Sequence, residues 1–248
     1  MSAPRANASR PLDWSARSRR EQRVSSGGRR KFRELYCFRA HAVPGLPTAD
    51  GVIIMQQDHC EGCGEIMASH DVVHFGSMDK GYRKLCTRCV NAETAKLNGL
   101  EDFENIRLDP IGITDCAGES HQFHFRTRLL GDIVSLEAFE LREGNPAGYR
   151  FQMVGDPEDD LFALLGRLIQ KIRRTLSIRH LEEVDGHGLH IADDTVRGRI
   201  EWDDSEDGRV PLVVVDGREI SWEDFGRMLM SFEGWQFKLE ILDPSDEV

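Results

Sequence analysis

Four cysteines fall into two pairs of identical spacing. "HCEGCGE", His59 to Glu65, carries Cys60 and Cys63, and "LCTRCVNAETAKL", Leu85 to Leu97, carries Cys86 and Cys89. A C-x-x-C pair folded by a tight turn presents two thiolates to one ion. Two such pairs supply the four soft ligands that a tetrahedral zinc ion takes. Gly62 and Gly64 flank Cys63, where that turn needs residues without a Cβ. Four thiolates fill the tetrahedron and leave no position for water. A Zn2+ held by Cys60, Cys63, Cys86 and Cys89 is therefore expected to be structural rather than catalytic. The alternative ligand set replaces one cysteine by His59, His70 or His74.

The elements that must position these ligands are legible around them. Twenty-two residues separate Cys63 from Cys86, room for a β-hairpin. Val72–Phe75 form one arm, Tyr82–Leu85 the other, and "SMDKG" the tip. Cys86 and Cys89 then stand at the start of a helix, where free N–H groups favour thiolate charge. Knuckle, hairpin and cysteine-bearing helix together resemble the treble-clef zinc fingers, over residues 59–99 only. That resemblance implies the same four cysteines as zinc ligands. The end of the module is also similar to HNH nucleases, in which a C-x-x-C runs into a helix and His and Asn serve the chemistry. His70, His74 and Asn91 are the matching residues. Val90 stands where HNH proteins place a His, and "SHDVVH" stands in place of their D-H-x-x-P. The zinc-deaminase pattern, H-x-E before P-C-x-x-C, does not occur.

Other polar groups are weaker candidates. Cys116, His121 and His124 could share a second metal, but positions 121 and 124 of a strand point to opposite faces. His180, His187, His190, Asp193 and Asp194 crowd a loop without metal-ligand spacing. Lys80, Arg83, Lys84 and Arg88 give the hairpin a basic edge. They either offset the charge of a zinc–tetrathiolate centre or contact phosphate. Trp202, Trp222 and Trp235 read as core or rim aromatics.

The chain of 248 residues is 40% hydrophobic and 30% charged, with a net charge of -11. That composition fits a folded protein, and no run of roughly 18 apolar residues offers a membrane span. The charge is uneven. Residues 1–34 hold 10 Lys and Arg against 3 Asp and Glu, and the remainder holds 22 against 40. Residues 1–34 read as a disordered basic arm, dispensable for folding. The acidic body opposes broad nucleic-acid binding by the folded part. No secretory-type apolar centre is seen near the N-terminus, so the expected location is cytoplasmic. Paired cysteines in that setting read as metal ligands before disulfides.

Beyond the cysteines, "GVIIMQQ" reads as a strand leading into the module, and 98–115 as a linker with turn residues. "HQFHFRTRLL", "DIVSLEAFEL" and "GYRFQMVG" alternate as half-buried strands of an antiparallel meander. Leu161, Leu164, Leu165, Leu168, Ile172 and Leu176 make one apolar stripe on a helix spanning about 159–181. "EVDGHGLHIADD" reads as a loop. "TVRGRIEWDD" and "RVPLVVVDG" read as strands around an acidic turn. Ser221 is an N-cap for a second helix, with Asp224 in the capping-box position, and "WQFKLEIL" reads as a closing strand. "FQMVGDPEDDLFALLGRLI" and "LVVVDGREISWEDFGRML" repeat a strand–turn–helix grammar with few identities. The expected fold is α+β: basic arm (1–34), zinc module and linker (35–115), then an antiparallel sheet with two packed helices (116–248). The expected function is that of a non-enzymatic interaction or regulatory protein with a protein partner. Nucleic-acid binding through the arm and Lys80, Arg83, Lys84 and Arg88 is the alternative, and an HNH-like nuclease the third reading.

Overall fold

The computed structural model describes residues 58–246 except Lys80, Glu101, Asp102 and His187. The expected basic arm and the "GVIIMQQ" strand lie outside the described residues.

The cysteine module begins with two short antiparallel strands, β1 (Asp58–His59) and β2 (Ile66–Met67), which bracket the first C-x-x-C. A one-turn 3-10 helix, Ser69–Asp71, leads into the predicted hairpin of β3 (Val72–Ser77) and β4 (Gly81–Cys86). The hairpin register runs from Val72 opposite Cys86 to Ser77 opposite Gly81. Gly76 is required by closeness: a Cβ there would lie 2.1 Å from the Gly81 carbonyl oxygen. Helix α1 (Thr87–Asn98) follows directly, with Cys86 as its extended N-cap residue. It ends at Gly99 in the left-handed conformation, whose N–H donates to the Ala95 carbonyl.

The meander has four strands rather than three: β5 (Ile111–Thr114), β6 (Ser120–Leu130), β7 (Ile133–Arg142) and β8 (Asn145–Gly155), antiparallel and adjacent in chain order. Strand β5 lies inside the stretch expected to be linker. It pairs with residues 120–123 only, so the rest of that β6 edge needs another cover. Glu143 and Gly144 both take positive φ between β7 and β8, as a two-residue hairpin turn requires.

Helix α2 (Leu161–Leu176) coincides with the apolar stripe and is shorter at both ends than the expected span of about 159–181. Its N-cap is Asp160, whose carboxylate accepts from Phe162 N–H at 2.8 Å. Its stripe packs on Phe123, Val134, Leu136, Ala138 and Met153 of the sheet, and Leu168 and Ile172 are wholly buried. Val134, Leu136 and Ala138 share one face of β7 by strand alternation. The opposite face carries Glu137 and Phe139.

The last third has a separate core. Strands β9 (Leu181–Val184) and β10 (Gly188–Ile191) form a hairpin where a loop was expected. Gly186 and Gly188 supply the positive φ of its turn. Strands β11 (Arg199–Trp202), β12 (Pro211–Val215) and β13 (Arg218–Ile220) form a three-stranded antiparallel sheet. Helix α3 (Trp222–Leu229) starts as expected, with Ser221 Oγ accepting from Asp224 N–H at 3.1 Å. Leu181, Val213, Val215, Ile220 and Met228 make the core. The expected closing strand does not form among the described residues: residues 235–242 have no strand partner there, and Phe237, Leu239 and Ile241 are 91%, 75% and 70% exposed. The fold is α+β, with antiparallel sheets, three α-helices among the described residues and the cysteine cluster ahead of the meander. No helix among the described residues is long and apolar enough to cross a membrane.

Candidate metal centre

The first C-x-x-C is a closed knuckle. Cys60 N–H donates to the Glu65 carbonyl at 2.9 Å, and Gly64 N–H returns to the Cys60 carbonyl at 2.8 Å. The knuckle is tied to the hairpin twice. Glu61 N–H donates to the Lys84 carbonyl, and Lys84 N–H donates to Glu61 Oε1, both at 2.9 Å. This lays Cys60 and Cys63 against the N-terminus of α1, where Cys86 and Cys89 stand one turn apart.

The four sulfurs lie within 4.8 Å of one another. Zn–S bonds of roughly 2.3 Å place tetrahedral sulfurs about 3.8 Å apart, and Cys63 Sγ and Cys86 Sγ are separated by 3.9 Å. The Cys60 sulfur accepts N–H groups from Cys86 at 3.2 Å and Gly62 at 3.4 Å. Burial works to raise the Cys60 thiol, but the N–H groups of Cys86, Cys63 and Gly62 outweigh it and bring it down to about 6. Cys86 and Cys89 shift the other way. Burial pushes both thiols up, and for Cys89 the sulfurs of Cys60, Cys86 and Cys63 push further. Four sulfurs in mutual contact cannot all ionise without a cation among them. The donor set and its spacing are therefore compatible with a metal site of the zinc type. None of His59, His70 or His74 joins this group.

Gly62 is fixed by the site. A Cβ there would lie 3.0 Å from Cys89 Sγ and 3.3 Å from Leu85 Cδ2. Asp71 completes the helix start from outside, its carboxylate accepting from Thr87 N–H at 3.1 Å.

The residues matched to an HNH site go to different places. Asn91 is 1% exposed. Its Nδ2 donates to the Thr127 carbonyl at 2.8 Å, and its Oδ1 accepts from Leu129 N–H at 2.9 Å. These are the backbone groups on the edge of β6 that β5 leaves uncovered, so the Asn91 amide stands in for a strand peptide. Sequence reasoning had no signal for that role. His70 rests edge-on against Phe139, with ring centroids 5.4 Å apart, and its Nδ1–H donates to the Gly144 carbonyl at 3.3 Å. Burial is the main cause that lowers its pKa. His74 lies within β3, opposite Lys84.

Two more residues join module to sheet. Arg126 Nη1 donates to the His70 carbonyl at 2.6 Å, while its Nη2 pairs with Glu137 at 2.5 Å and its guanidinium lies 5.3 Å over Phe139. Ser69 Oγ donates to the Gly144 carbonyl at 3.2 Å. The module thus holds the β6 edge through α1 and the sheet face opposite α2 through the turn at 69–71.

The remaining candidates separate. His124 stacks on Phe139, away from His121. His121 is brought not to Cys116 or His124 but to Asp115 and Glu119. His180 Nδ1–H donates to the Thr195 carbonyl, and His190 Nδ1 contacts the Gly188 carbonyl. His187 lies outside the described residues. On the hairpin edge, Arg83 pairs with Glu93 at 3.4 Å and Lys84 with Asp58 at 2.5 Å. Lys80 lies outside the described residues. Trp202, Trp222 and Trp235 are 60%, 48% and 67% exposed, surface aromatics rather than core.

Three family models match successive segments of the chain. Each is described only as a domain of unknown function: DUF7685 over residues 59–101, DUF7686 over 104–177 and DUF7713 over 180–246. These segments coincide with the cysteine module, the meander with α2, and the last third with its own core. Neither a curated protein nor a solved structure matches.

Proposed function

We propose that this chain is a zinc-binding, non-enzymatic interaction protein. In this reading Cys60, Cys63, Cys86 and Cys89 hold one structural Zn2+ in a treble-clef-like module. The observation that carries it is the closed set of four sulfurs, which offers a metal four soft donors and leaves no position for water or substrate. The order of knuckle, hairpin and cysteine-bearing helix supports the treble-clef likeness. The use of Asn91 as a backbone clamp argues against the nuclease reading, because its amide is consumed by Thr127 and Leu129. Reduced thiolates of this kind suit the cytoplasm.

A protein partner is favoured over nucleic acid. Arg83 and Lys84 already face Glu93 and Asp58. Exposed aromatic and aliphatic side chains instead collect near the C-terminus, at Trp235, Phe237, Leu239 and Ile241. Nucleic-acid binding through Lys80, Arg83, Lys84, Arg88 and the basic arm is the second reading, since the hairpin edge remains open to solvent.

The test begins with metal analysis. Zinc released by a thiol-specific mercurial should amount to one equivalent per chain and be lost in Cys86→Ser plus Cys89→Ser. The holoprotein should leave single-stranded DNA, duplex DNA and RNA uncleaved in the presence of Mg2+, and should bind none of them tightly at physiological salt. Absence of thiolate-bound zinc, or cleavage abolished by His74→Ala, overturns the proposal. Tight, salt-dependent nucleic-acid binding lost in Arg83→Ala plus Arg88→Ala moves it to the second reading.

A further inference from the structure

The turn between β5 and β6 builds a second cluster that uses none of the paired cysteines. Asp115 and Glu119 close the turn, with Asp115 N–H donating to the Glu119 carbonyl at 2.9 Å. Asp115 Oδ1 accepts from the N–H groups of Ala117 and Glu119 at 2.9 and 2.8 Å, which leaves Oδ2 facing outward from the turn. Arg179, just beyond α2, lies across the mouth. Its Nη2 is 3.1 Å from both Asp115 Oδ2 and Glu119 Oε2.

His121 lies behind these carboxylates and is 9% exposed. Its tautomer follows from its neighbour. Glu140 accepts the Tyr149 N–H at 2.7 Å through Oε2, and its Oε1 lies 2.8 Å from His121 Nδ1. A carboxylate that is accepting on both oxygens makes Nδ1 the donor, so the neutral imidazole carries its lone pair on Nε2. That Nε2 is buried and has no hydrogen-bond partner. It faces Asp115 Oδ2 across 3.7 Å, too far for a hydrogen bond. With the imidazole neutral, Nε2 and Asp115 Oδ2 aim two lone pairs at one gap, which a cation can fill. A carboxylate behind the imidazole, fixing its orientation from the far nitrogen, is the usual support of a metal-bound histidine. The ligand atoms of Asp115, Glu119 and His121 all lie within 4.8 Å of one another.

We propose that Asp115, Glu119 and His121 form a second metal site, for a divalent transition ion bound by one imidazole nitrogen and two carboxylate oxygens, with Glu140 orienting the imidazole. This donor set is harder than the four thiolates and takes the same ions differently. Three protein donors leave positions for water. They open to solvent through Glu119, whose side chain is 63% exposed. Arg179 occupies the cation position until the ion arrives, and with a side chain 40% exposed it is free to swing away.

Cobalt(II) titrated into the full-length, zinc-loaded protein tests this. One further equivalent should bind, with the weak absorption of nitrogen and oxygen ligation rather than the intense bands of thiolate ligation. Both His121→Gln and Glu119→Gln should weaken that equivalent at least tenfold. Glu119 is exposed, so its variant keeps the test valid if the His121 variant fails to fold. Arg179→Met, which removes the competing cation, should tighten it. Cys86→Ser plus Cys89→Ser should leave it in place, which separates this site from the thiolate reading. The proposal is overturned if the zinc-loaded protein takes up no further cobalt, or if the second equivalent is indifferent to both ligand substitutions. It is equally overturned if Arg179→Met binds no more tightly than the parent.

Discussion

Replacing Asn91 by alanine isolates what holds the cysteine module to the sheet. The side chain satisfies two backbone groups on the β6 edge, the Thr127 carbonyl and the Leu129 N–H, at 2.8 and 2.9 Å. Alanine leaves both buried under α1 without a partner. An unsatisfied buried group costs about 1–3 kcal/mol, so the pair costs about 2–6 kcal/mol. Alanine recovers roughly 0.5 kcal/mol of helix propensity. The variant should therefore lose about 2–5 kcal/mol, read as a lower urea midpoint. Asn98→Ala is the control. Its exposed side chain donates to the Thr94 carbonyl at 2.8 Å within the same helix, and its loss should cost under about 1 kcal/mol. Hydrogen exchange gives the local reading: the Leu129 amide should lose protection, while zinc content stays unchanged because Asn91 is no ligand. A variant that keeps full stability and a protected Leu129 amide refutes the clamp. It would reopen a chemical role for Asn91.

Removing the metal with a chelator should loosen residues 60–97 in hydrogen exchange and leave the amides of α2 protected. Loss of protection in both together would show that module and meander unfold as one unit. Gly62→Ala should weaken zinc affinity at least tenfold in a competition titration, since its Cβ would press on Cys89 Sγ at 3.0 Å. Leu168→Ala, at a position 0% exposed between α2 and the sheet, should cost about 2–5 kcal/mol in denaturant unfolding. Glu201 makes stability pH-dependent. Burial works to raise its carboxyl, but Arg199 and then Arg150 outweigh it and hold it below the ordinary carboxylate range. Its contribution is therefore full above the unfolded carboxylate pKa of about 4.3 and lost as pH falls through the lower folded value. Glu201→Gln should flatten the stability–pH curve in that acid range, and an unchanged curve would contradict the assignment.

Local chemistry was readable from the sequence where it was self-contained. The paired cysteines, the 72–86 hairpin, the α2 stripe and the Ser221 cap all depend on residues a few positions apart. What depends on a distant partner was not. Residues 235–242 alternate as a strand does, yet alternation describes only which face would be buried. With no neighbouring edge among the described residues to pair with, Phe237, Leu239 and Ile241 stay in solvent. The reverse happened at 183–194, where glycine and charge read as loop, and cross-strand pairing of Leu181–Val184 with Gly188–Ile191 made a hairpin. At the candidate sites the divide is the same. Cys60 to Cys89 carry a spacing signature. Asp115, Glu119 and His121 carry none, because Arg179 and Glu140 complete that cluster from elements 60 and 21 residues away from Glu119.

The way the module is attached explains why a metal would matter to more than the module. Between Cys60 and Cys89 the buried apolar side chains number few, with Met67 and Leu85 the only buried ones besides the cysteines among the described residues. So small a core does not fold unaided, and metal binding would supply much of its folding energy. Yet α1 is also the cover for the β6 edge beyond residue 123. Cys86 and Cys89 fix the first turn of that helix, and Asn91 lies just beyond it on the side facing the sheet. A metal that sets the sulfurs thereby sets the angle at which Asn91 meets Thr127 and Leu129. On the far face, Arg126 ties the Ser69–Asp71 turn to Glu137. Helix α2 packs on the other face, through Val134, Leu136 and Ala138. Metal loss should therefore expose one edge and one face of the meander while its α2 core persists. That leaves two new apolar and hydrogen-bonding surfaces on a protein that is otherwise still folded.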